Sequence, residues 1–141
     1  MRKLIFSFLV SITVFAGNAE LLKASLFSLI VELLSNDDGY TEIYLDAPQY
    51  NSIKKYVKKF KFTNDCLSAD IIFVDRIENL PPECQDDKKI FVTKYSEYRK
   101  HRSKVVGAFF WQKGRPNIIF NKERLEYFGI KLPAKYDKYI E

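Results

Sequence analysis

The chain has 141 residues, 47% of them hydrophobic, and 23 Lys and Arg against 18 Asp and Glu give a formal charge of +5. This composition excludes a low-complexity or acidic disordered chain, and the length fits one domain whose core needs no metal to fold. The basic excess is too mild for nucleic-acid binding, which leaves a strongly basic patch or stripe.

At the amino end Arg2 and Lys3 precede an apolar run from Leu4 to Phe15, followed by the small residues Ala16, Gly17 and Ala19. That three-part layout predicts a secretory signal peptide over 1–19, cut after Ala19, with Ala16 as the alternative site. The run is 12 residues long, short of the roughly 20 that span a bilayer as a helix. An uncleaved anchor continuing into Leu21 to Leu34 is the competing reading. No cysteine near the cut could take a lipid. The expected mature chain is a periplasmic domain over 20–141, and loss of Arg2 and Lys3 brings its formal charge from +5 to +3.

"ELLKASLFSLIVELLS" predicts a helix buried on most sides, stopped by "SNDDGY". "TEIYLDA" alternates as a strand does. In "PQYNSIKKYVKKF", Tyr50, Ile53, Val57 and Phe60 fall on one helical stripe with Lys54, Lys55, Lys58 and Lys59 away from it, which predicts an amphipathic helix. "ADIIFVD" and "KKIFVTK" are unbroken apolar runs of the kind found in parallel strands covered on both faces. "RIENLPPECQDD" leaves room for at most a short helix before Pro81 and Pro82, and "YSEYRKHRS" reads as one helical segment. "VVGAFFWQKGRPNIIF" then reads as two strands, about 104–112 and 117–120, joined by "KGRP". Asn121 is the expected N-cap of "KERLEYF" and Gly129 its stop. The expected fold is a single α/β domain: a mixed, mostly parallel sheet flanked by helices, ending in a β-hairpin and a helix.

Cys66 and Cys84 are the only cysteines and each shortly precedes an expected strand. In an oxidising compartment an even count favours a disulfide, and parallel strands would bring both to one sheet edge. Closing a separation of 18 residues would contribute about 3 kcal/mol. A redox-responsive or intermolecular pair, or two free thiols, are the other readings. His101 is the only histidine and sits among Arg99, Lys100 and Arg102. It reads as an exposed residue and not as part of a zinc site, so no metal is expected. "NDDG" at Asn36 to Gly39 lacks the ligand spacing of a calcium loop. No nucleophile elbow, zinc helix, phosphate loop or dinucleotide fingerprint occurs. Asp46, Asp70 and Asp75 could meet near strand ends, but none has a partner visible in the sequence, so no catalytic residue and no cofactor is expected. An undetected hydrolase is the weakest reading.

Strand alternation sends Val106, Ala108 and Phe110 one way and Val105, Gly107, Phe109 and Trp111 the other. Both sets are apolar, so most of this strand reads as core. Trp111, Lys113 and Arg115 remain as candidates for contact with a ligand or partner, because an aromatic face and cationic arms suit an anionic solute. Lys54, Lys55, Lys58 and Lys59 read as a solvated face or as an electrostatic docking face for an acidic partner or a membrane surface.

Several stretches resemble the YfiR-like family of small periplasmic regulators. "LKASLFSLI" looks like the family's first helix, "CLSADIIFV" like its cysteine and strand, and "KIFVTKYSEY" like the next strand. "VVGAFFWQKGRPNIIFNKERLEYFGIKL" is similar to its late hairpin and helix. The chain departs from the family in lacking its Trp-Pro, a second cysteine pair and its closing "S-x-L-L-x-L-A". The resemblance implies a non-enzymatic protein that binds the periplasmic part of an inner-membrane diguanylate cyclase and restrains it, coupling the envelope to cyclic-di-GMP. A small solute- or anion-binding module is the rival from another class. Homo-oligomers fit either reading.

Overall fold

The structure, a computed structural model, describes residues 16–35 and 41–141. The "NDDG" cluster and the expected signal segment up to Phe15 lie outside the described residues. Six strands, β1 (Glu42–Asp46), β2 (Lys61–Phe62), β3 (Ile71–Val74), β4 (Lys89–Val92), β5 (Gly107–Gln112) and β6 (Arg115–Phe120), form one sheet in the order β2-β1-β3-β4-β5-β6. Neighbours are parallel except β5 and β6, which pair antiparallel as a hairpin. Among the described residues three α-helices accompany them: α1 (Ala16–Leu34), α2 (Tyr95–Lys100) and α3 (Lys122–Tyr127). The result is the single α/β domain with a mixed, mostly parallel sheet that the pattern of elements predicted.

The unbroken apolar runs have a direct cause in the sheet's two covers. In β3, Ile71 and Phe73 enter one core while Ile72 and Val74 enter the other, and all four are buried. The first core lies between the sheet and α1, whose Phe27, Ile30, Val31 and Leu34 are buried there together with Leu125 of α3. The second lies under α2 and the cystine, with Ile90, Val92 and Tyr98. Each such side chain removed from water contributes about 1.5–3 kcal/mol, so a strand buried on both sides has no polar position to spare.

The segment from Pro48 to Lys55 is a 3-10 helix and not the α-helix its stripe predicted. The inward stripe itself is right: Tyr50, Ile53 and Val57 are buried and Phe60 is half-buried. Winding at about 2.0 Å per residue instead of 1.5 Å lets this short crossover run further back along β1 before β2 begins. "RIENLPPECQDD" forms two 3-10 turns, Ile77–Asn79 and Pro82–Cys84, the second starting at a proline and not ending before it. Proline fits there because the first helical position has no bonded N–H to lose.

The hairpin is tighter than expected. Arg115 and Pro116 belong to β6, paired with Gln112 and Trp111, and only Lys113 and Gly114 form the turn. Both have positive φ, 54° and 74°, the arrangement that matches strand twist across a two-residue hairpin. Before Gly107 the alternation slips: Val106 lies in the first core with Phe109, and Val105 in the second with Ala108 and Phe110. The expected faces therefore hold from Gly107 onward and are exchanged for the two valines, which precede the strand and do not follow its pleat. Asn121 caps α3 as expected, its side chain accepting from the Glu123 amide at 3.2 Å, and Gly129 ends the turn with φ of 69°.

Candidate functional site around Trp111

Trp111 stands half-exposed at the end of β5, on the face that carries α1. Its ring meets Phe109 edge-on at 6.0 Å. The cation over it is Lys23 of α1, whose ammonium lies 5.6 Å from the Trp111 ring and 5.7 Å from that of Tyr50. Lys23 also pairs with Glu20 one turn earlier at 3.3 Å, and the Ser52 hydroxyl donates to the other Glu20 oxygen. The Ser52 bond above all holds the Glu20 carboxyl below its ordinary range; burial opposes it, and the Lys23 and Lys55 charges, each weaker than the burial effect, assist it. Tyr50 is 5% exposed, and burial, reinforced by the Asp75 charge, pushes its phenol up to about 12.

The three residues singled out from the hairpin are therefore not assembled as one site. Directly opposed residues share a face of the sheet, so Arg115, opposite Gln112, points away from the face that holds Trp111. Lys113 occupies the turn itself and is exposed. What the structure brings to Trp111 is Lys23, Tyr50 and, through them, Glu20 and Ser52. The sequence held one local sign of this group, the Glu20–Lys23 spacing of three along a helix. The contacts with Tyr50, Ser52 and Trp111 join three separate elements, α1, the 3-10 helix and β5, and have no local signature.

A second polar group gathers at the carboxyl ends of the strands. The sheet order reverses between β1 and β3, the place where open α/β sheets receive ligands. There the Asp75 carboxylate accepts from Gln49 Nε2 at 2.8 Å and from the Thr93 hydroxyl, and the Asp75 amide donates to the Asp46 carbonyl at 3.2 Å. Asp70 lies at the other end, where its carboxylate accepts from the Glu42 amide at 2.8 Å. The three aspartates thus divide between the two ends of the sheet, with Asp46 and Asp75 together and Asp70 apart.

Cys66 and Cys84 form a disulfide, with Cα atoms 6.1 Å apart, that staples the chain entering β3 to the chain entering β4. Their exposures are 6% and 0%, so the bond belongs to the second core. A buried bridge of this kind is compatible with an oxidising, exported location. His101 ends α2 beside Glu97, with Nε2 and Oε1 3.7 Å apart, and Glu97 accepts from the Ile77 amide at 3.0 Å. Lys54, Lys55, Lys58 and Lys59 are all exposed, as the lysine stripe predicted. Lys59 pairs with Glu32 of α1, and the Lys54 ammonium lies 5.4 Å from the Phe62 ring.

No described group of three or more metal-binding side chains occurs, and no described helix is long and apolar enough to cross a membrane. In comparisons with known proteins, no family matches this chain and no curated protein matches it.

Proposed function

We propose that this protein is a non-enzymatic regulator of the bacterial envelope, one that binds the periplasmic part of an inner-membrane signalling protein and restrains it. The observation that carries this reading is the buried Cys66–Cys84 bridge. A structural cystine of this kind persists outside the reducing cytosol, so the protein would meet its partner there. The amino-terminal leader pattern points to the same compartment, and the resemblance of the hairpin and first helix to the YfiR-like regulators supplies the partner class, a diguanylate cyclase.

The test is in vivo crosslinking of the exported protein followed by purification. Co-purification of an inner-membrane protein with a periplasmic domain supports the reading, and recovery of soluble proteins only would sink it. Deletion of the gene should raise cyclic-di-GMP if the partner is a cyclase. An unchanged level would remove the cyclase while leaving another signalling partner standing.

A further inference from the structure

We propose that the face built by α1 and the lysine-rich stretch from Lys54 to Lys59 docks on an anionic phospholipid bilayer surface. Between Asp46 and Lys61 the chain carries four lysines, Lys54, Lys55, Lys58 and Lys59, and no carboxylate, and all four are exposed. Beside them lie two exposed apolar side chains, Leu21 at 47% and Tyr56 at 44%. These two line a groove of about 310 Å³ on α1, together with Ala24, Ser25, Ser28, Leu29 and Glu32.

Charge lies directly on that groove, where Lys59 pairs with the lining residue Glu32. The carboxylates on this side are already engaged, Glu20 by Ser52 and Lys23 and Glu32 by Lys59. The surface is thus positive around the exposed Leu21 and Tyr56.

An acidic protein would need a matched apolar patch for Leu21 and Tyr56 besides carboxylates for the lysines. A bilayer surface answers both, with phosphate headgroups for the ammonium groups and the interfacial layer for a tyrosine and a leucine. The inference stands on the surface alone and does not depend on the identity of a signalling partner.

The test uses protein purified after export, its amino terminus defined by mass spectrometry, sedimented with phosphatidylcholine vesicles with and without phosphatidylglycerol. Binding is expected only to the anionic vesicles, and added salt should abolish it, because the screening length shrinks to a few ångströms. Changing Lys54, Lys55, Lys58 and Lys59 to glutamine should weaken binding by about fivefold per lysine. Leu21→Ser with Tyr56→Ser should weaken binding to the anionic vesicles at low salt. A control with Lys131, Lys135 and Lys138 changed to glutamine should keep the wild-type affinity, and all variants should melt cooperatively. Equal binding to neutral vesicles, equal loss in the control, or no loss in the fourfold variant would each overturn the proposal. Capture by polyglutamate without vesicle binding would assign the face to an acidic protein instead. Because the vesicles hold no protein, a negative result here leaves the regulatory reading to its own crosslinking test.

Discussion

Gly107 begins β5 where the chain approaches its neighbours most closely. A methyl group there would press on the Ile119 carbonyl of β6 and come within 2.7 Å of the Phe91 ring, and neither backbone nor packed ring can retreat cheaply. Gly107→Ala is expected to cost about 3 kcal/mol, read as a fall in the denaturant midpoint. Lys113 is the opposite case, a side chain at φ of 54° in a turn that favours asparagine or glycine. Lys113→Asn should stabilise by about 0.5 kcal/mol or slightly more, and a loss of stability would show that the turn does not need a positive φ in solution. Tyr50 predicts a pH effect. Its folded phenol ionises near 12, above the ordinary value of 10, so its contribution is complete below about pH 10 and declines as pH rises through 12, because the unfolded chain ionises first. Tyr50→Phe should narrow the alkaline loss of stability by on the order of 2 kcal/mol across that window, and identical alkaline curves for the two proteins would refute the shift.

Elements were legible where period and burial agreed. The runs at β3 and β4 announced strands covered on both faces, and the two cores cover them. Asn121 and Gly129 marked the ends of α3 through chemistry local to the turn. The 3-10 crossover was not legible, since Tyr50, Ile53 and Val57 lie inward in either winding and only the distance to be covered along β1 distinguishes them. Nor was the hairpin's register, because "KGRP" offers turn residues at four places and the pairing of Pro116 with Trp111 depends on proline tolerating an edge strand where no N–H is required. The disulfide shows what joining elements is worth. Replacing Cys66 and Cys84 together with alanine should lower stability by about 2–5 kcal/mol, measured by denaturant unfolding against the oxidised parent. Equal midpoints would mean the bridge only decorates a core that holds without it.

At the scale of the molecule, the sheet separates two kinds of surface. One side carries α1, Trp111 and the lysines, and the other carries α2 and the cystine. The sequence supplied Trp111 and the lysine stripe but paired the tryptophan with Lys113 and Arg115, its neighbours along the chain. The pleat sends Arg115 to the far face, and α1, over eighty residues earlier, delivers Lys23 instead. Long-range placement of this kind is what a single sequence hides, because the pairing of side chains from separate elements depends on how the crossovers pack. The cystine has a further consequence in time. With its sulfurs sealed inside the second core, a reductant can attack only while the loops before β3 and β4 are open. The rate at which the bridge is reduced thus clocks the opening of this part of the domain, and any response of the bridge to redox conditions would be as slow as that opening.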